Sequence, residues 1–109
     1  MMTSKRENIG ELEELVLLMV GVLGNNAYGN AVVEEINSQA DRSLTLSAVH
    51  AVLLRLEKKG LLESQVGGAT KERGGRRKRF FSVTGKGMKV LEDIKHTRNR
   101  LWNIIVETN

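Results

Sequence analysis

Leu62-Glu63-Ser64-Gln65-Val66-Gly67-Gly68 and, five residues later, Gly74-Gly75-Arg76-Arg77-Lys78-Arg79-Phe80-Phe81-Ser82-Val83-Thr84 decide how this chain folds. The first stretch has period two: Leu62, Ser64 and Val66 alternate with Glu63 and Gln65, as in a half-buried strand. From Lys78 to Thr84 the same period returns, with Arg79, Phe81 and Val83 on one face. Two glycine pairs bracket the connection between the strands. That connection exceeds the roughly 2–5 residues of an ordinary hairpin loop, which points to a loop with a function.

The loop also carries the charge. Lys71, Arg73, Arg76, Arg77, Lys78 and Arg79 stand against Glu72, so six of the 17 Lys and Arg but one of the 13 Asp and Glu fall in this stretch. Formal net charge is +4, and outside the loop the chain is close to neutral. A local positive field on a glycine-flexible hairpin suits a phosphate backbone, where bound cations release counterions and Arg offers forked donors. A charge run alone is equally a solvated surface, so its place in the fold matters.

Working outward, the period before the hairpin is helical. Ile9, Leu12, Leu15, Val16, Met19, Val22 and Leu23 predict an inward face, behind Glu11, Glu13 and Glu14 at the positive end of the helix dipole. Gly24-Asn25-Asn26 stops that helix. A second is expected from about Tyr28 to Ala40, with Ala31, Val32, Ile36 and Ala40 inward. Thr45 is a suitable N-cap for a third, with Leu46, Val49, Leu53 and Leu56 inward, Lys58 and Lys59 in its last turn and Gly60 after it. Thr84 caps a last helix to about Glu107, where Leu91, Ile94, Arg98, Leu101 and Ile105 form a 3-4-3-4 seam. Three helices, strand, basic loop, strand, helix is the winged helix-turn-helix order, mainly α with a small β-hairpin (α+β). The expected organisation is a flexible arm over residues 1–8, a winged helix-turn-helix DNA-binding domain over 9–84 and a dimerisation helix over 85–109.

Composition bounds the function. A chain of 109 residues, 40% hydrophobic and 28% charged, makes one domain with a modest core. Without cysteine there are no disulfides or thiolate metal sites. The apolar run from Leu15 to Leu23 is far short of the ~20 residues of a spanning helix. A soluble protein with no membrane partner is expected, acting in the cytoplasm. Phosphate-loop and Gly-x-Ser-x-Gly motifs are absent, and Glu34-Glu35 and Glu92-Asp93 diverge around their helices, so no enzyme, cofactor or catalytic residue is expected. His50 and His96 without a carboxylate motif predict no metal site.

The third helix is the candidate reading element. Its outer surface carries Ser47, Ala48, His50, Ala51, Leu54, Arg55 and Lys58, and small residues at its start permit close approach to a groove. With Lys71, Arg73, Arg76, Arg77 and Lys78 of the loop, Ser47, Ala48, His50, Ala51 and Arg55 form the expected contact set for double-stranded DNA. Leu91, Ile94, Leu101, Trp102 and Ile105 form the expected homodimer seam. Trp102 reads two ways, as an anchor between subunits or as a flat wall for a planar or aromatic effector. The competing class is a protein-interaction module that recruits a partner through the last helix.

From Gly10 to Ile94 the chain resembles the PadR family of bacterial transcriptional regulators. The resemblance rests on Gly10-Glu11-Leu12 with its apolar helix, Tyr28-Gly29, Leu53-x-x-Leu56-Glu57-x-x-Gly60 with Leu61-Leu62, and Gly74-Gly75-Arg76-Arg77-Lys78-Arg79-Phe80-Phe81-Ser82-Val83-Thr84-x-x-Gly87. It implies a homodimeric repressor in a bacterial cytoplasm, nucleoid-associated when bound to an inverted-repeat operator and released by a small molecule. Having one helix after the wing, the chain resembles the compact branch of the family, where a Trp like Trp102 lines a ligand pocket in some members. His50 stands where the family usually has Tyr, and Phe80-Phe81 replaces the usual tyrosines.

Overall fold

Short polar side chains and glycines open and close the elements. The computed structural model describes residues 8–67 and 78–108. Helix α1 (Glu11–Leu23) starts behind Gly10, whose N–H donates to Glu13 Oε1 at 3.0 Å. A single 3₁₀ turn, Gly24–Asn26, leads to α2 (Gly29–Gln39). The turn into α3 (Leu46–Lys58) is bracketed by the Asn37 amide, which accepts from the Leu44 N–H at 2.8 Å and donates to the Leu44 carbonyl at 3.1 Å. Thr45 caps α3 as expected, its hydroxyl accepting from the Ala48 N–H at 3.1 Å.

Gly60, at φ 81°, turns the chain into β1 (Leu62–Val66). This pairs antiparallel with β2 (Arg79–Val83), Leu62 opposite Val83 and Val66 opposite Arg79. The Thr84 hydroxyl donates to the Gly60 carbonyl at 2.7 Å and accepts from the Gly87 N–H at 3.0 Å, which starts α4 (Gly85–Thr108). A Cβ on Gly87 would lie 2.3 Å from the Leu61 carbonyl oxygen. The Thr84-x-x-Gly87 pattern is therefore a packing device: a hydroxyl that ties the helix start to the preceding turn, and a bare Cα that lets it approach.

One core joins the layers: Val16, Leu17 and Val20 from α1, Val32 and Ile36 from α2, Val49, Leu53 and Leu56 from α3, with Leu61, Leu62 and Phe81 beneath the hairpin. The described residues form a winged helix-turn-helix of four α-helices and a two-stranded hairpin. None of its described helices is long and apolar enough to cross a membrane.

Three expectations are corrected. Val22 is 66% exposed, while Leu17 and Val20 are buried in its stead. The inward face of α1 passes through Glu13, Val16, Leu17 and Val20, because Glu13 is paired and tolerates burial. Leu46 is exposed and Val52 is buried, since the first turn of α3 projects past the core. Val66 is exposed where β1 runs beyond the helices. The structure also adds an isolated β-bridge beside the hairpin. Tyr28 bridges Phe80 and the Phe81 N–H donates to the Ala27 carbonyl at 2.8 Å, so the segment before α2 docks on the hairpin.

Candidate nucleic-acid interface

An open groove runs between the starts of α2, α3 and β2. Tyr28, Gly29, Asn30, Leu46, Ser47, His50, Lys78, Arg79 and Phe81 line it. Ser47, Ala48, His50 and Ala51 are all exposed on α3. Lys78 shares the groove with Ser47 and His50, its ammonium 4.1 Å from the centre of the Tyr28 ring. At that distance over an aromatic face the cation is attracted by the ring quadrupole, which limits where it points. Phe80 meets Tyr28 edge-on at 5.6 Å and 71°. Phe81, the next residue, turns into the core. Lys71, Arg73, Arg76 and Arg77 lie outside the described residues.

The hairpin is tied to α3 through Ser64, midway along β1. Its hydroxyl has one proton, which goes to Glu57 Oε2 at 2.6 Å, and it accepts from Arg79 Nε at 2.9 Å. Arg79, counted in the basic run, is thus engaged on the hairpin, where β2 leaves the loop. Gly67 sits against the Phe80 ring, so close that a Cβ would lie 2.8 Å from Phe80 Cε1.

Arg55 is placed differently from its neighbours. Its Nε donates to Glu13 Oε2 at 3.0 Å, so this cation is committed to α1. Lys59 Nζ reaches both oxygens of the same carboxylate, at 3.1 and 3.0 Å. Burial pushes the Glu13 pKa up, but the Gly10 N–H and the Lys59 and Arg55 cations outweigh it and hold the group below the ordinary carboxylate value. Sequence reasoning missed both Glu13 and Tyr28. A signal existed for each: Glu13 lies at helical spacing between Ile9 and Val16, and Tyr28 is the chain's one tyrosine.

Solved structures share this fold over nearly the whole chain. A PadR family transcription regulator from Clostridium difficile R20291 aligns with TM-score 0.72 at 18% identity, covering 91% of this chain and 98% of that one. A PadR-like transcriptional regulator from Bacillus cereus strain ATCC 14579 gives 0.69 at 20%, covering 89% of each. A PadR family regulator from Eggerthella lenta DSM 2243 gives 0.65 at 24%, over 90% of this chain and 85% of that one. The fold is the PadR fold. No protein-family model and no curated protein matches the chain.

Within this PadR fold the seam of α4 divides at Arg98. Before it, Leu91 and Ile94 are half-buried against the chain's own core. Arg98 itself pairs with Glu14 of α1 at 2.9 Å. Beyond it, Leu101, Trp102 and Ile105 are exposed, Trp102 by 63%, together with Ile104 and Val106. Leu18 and Met88, also exposed, line a groove between α1 and α4 with Leu91 and Ile94.

Proposed function

We propose that this protein is a homodimeric, DNA-binding transcription regulator that acts as a repressor on an inverted-repeat operator. The observation that carries the reading is the groove that Ser47 and His50 of α3 share with Lys78, just before β2. A helix start with small exposed residues and a cation beside it combine base readout with phosphate grip. The likeness to solved PadR regulators supports the same reading. In it, Ser47, Ala48, His50 and Ala51 face the bases, and Lys71, Arg73, Arg76, Arg77 and Lys78 follow the phosphates. Leu101, Trp102 and Ile105 meet a second copy, with Leu91 and Ile94 extending the seam, and Trp102 offers a face to a planar or aromatic effector.

The experiment is duplex binding over a salt series. Affinity falls steeply as salt rises, and Arg77→Ala flattens the log–log slope by about one unit. A salt-independent affinity contradicts the reading.

A further inference from the structure

Glu13 is the buried charged side chain among the described residues, and its contacts join α1 to α3. Oε1 accepts from the Gly10 N–H at 3.0 Å and from Lys59 Nζ at 3.1 Å; Oε2 accepts from Arg55 Nε and Lys59 Nζ, each at 3.0 Å. A carboxylate has about four acceptor positions, so this one is filled. Arg55 and Lys59 stand four residues apart near the end of α3, opposite the end that carries Ser47 and His50.

Burying a carboxylate costs several kcal/mol, and even a good pair often does no better than an apolar residue of the same volume. Stability is therefore a poor reason for Glu13. Geometry is a better one. Apolar side chains let a helix rotate or slide on its neighbour, whereas charge-assisted bonds to two cations hold it in one orientation. Ser47 lies eight residues from Arg55, roughly 12 Å along the axis, so a tilt of about 5° at the clamp moves Ser47 by roughly 1 Å. That is enough to break a hydrogen bond to a base edge.

We propose that Glu13 is the positioning residue of α3: through Arg55 and Lys59 it sets the angle at which Ser47, Ala48 and His50 meet DNA. The inference rests on α3 being the reading helix. It also reassigns Arg55, which acts on DNA through Glu13 rather than on a base.

Glu13→Gln tests this, because it keeps the size and the bond to Gly10 while removing the charge. Residual dipolar couplings are expected to show α3 reoriented against an unchanged α1–α2 pair. Affinity for a duplex selected by the wild-type protein from a random pool falls about tenfold, and affinity for a scrambled duplex of the same composition changes by less than about twofold. Adding Arg55→Gln to Glu13→Gln costs nothing more, since both changes break one clamp. An unmoved α3, equal losses on both duplexes, or additive losses for the pair would each overturn the proposal. Should Glu13→Gln fail to fold, Lys59→Gln, at a half-exposed position, takes the same measurements with the same outcomes. If the wild-type protein selects no duplex, the DNA reading fails, while the dipolar couplings still judge the clamp.

Discussion

Helices α3 and α4 both carry an apolar stripe, yet they spend it differently. In its 13 residues α3 buries Val49, Val52, Leu53 and Leu56. In 24 residues α4 buries only Gly87 and Val90, and leaves Leu101, Trp102, Ile104, Ile105 and Val106 exposed by about half or more. The reason lies in what surrounds them. α3 is packed by α1, α2 and β1 of its own chain, whereas α4 leaves the body after Arg98. A stripe thus says that a helix packs against something, and only the fold says whether the same chain supplies it. Exposed apolar faces of this extent mark interaction surfaces.

Truncation separates the two helices most strongly. Leu53→Ala is expected to destabilise the protein by about 2–5 kcal/mol, through lost transfer energy and the cavity left behind, as read from urea unfolding. A cost below about 1 kcal/mol would mean that the α3 stripe is not the core it is described as. On α4 the expected change is one of assembly: Leu101→Asp yields monomers in sedimentation equilibrium, with the folded chain's helix content preserved in circular dichroism. A dimer that survives it would move the interface away from the exposed half of α4.

The contrast also explains what could be read in the sequence. The hairpin, the caps at Thr45 and Thr84, and the stop at Gly60 were legible because each depends on local chemistry: period two, a hydroxyl on a free N–H, a positive φ. The face of α1 was not. Leu15-Val16-Leu17-Leu18-Met19-Val20 is apolar all round, so its period is ambiguous, and only the flanking residues orient it. Charged residues are expected outside, yet Glu13 lies inside because cations 42 and 46 residues away meet it there. No local rule reveals a partner at that separation. The same limit hid the commitment of Arg55 to α1 and of Arg79 to Ser64, both of which read in sequence as free cations on a basic surface.

In the candidate site, residue identity was legible and grouping was not. The exposed positions Ser47, Ala48, His50 and Ala51 follow from the period of α3. That Lys78 stands with them, held over Tyr28, depends on the docking of Ala27 and Tyr28 on β2, a two-residue contact too short to leave a periodic signal.

In the proposed function, the start of α3 and the start of β2 form a surface that reads double-stranded DNA. Selection from a random duplex pool tests it most directly, with the bound fraction sequenced after successive rounds. Enrichment of an inverted repeat whose half-sites lie about one helical turn apart is expected, as two copies of one reading helix require. A pool that stays random, with the protein retaining its fold, would exclude sequence-specific DNA reading and turn attention to the exposed half of α4 as a surface for a protein partner.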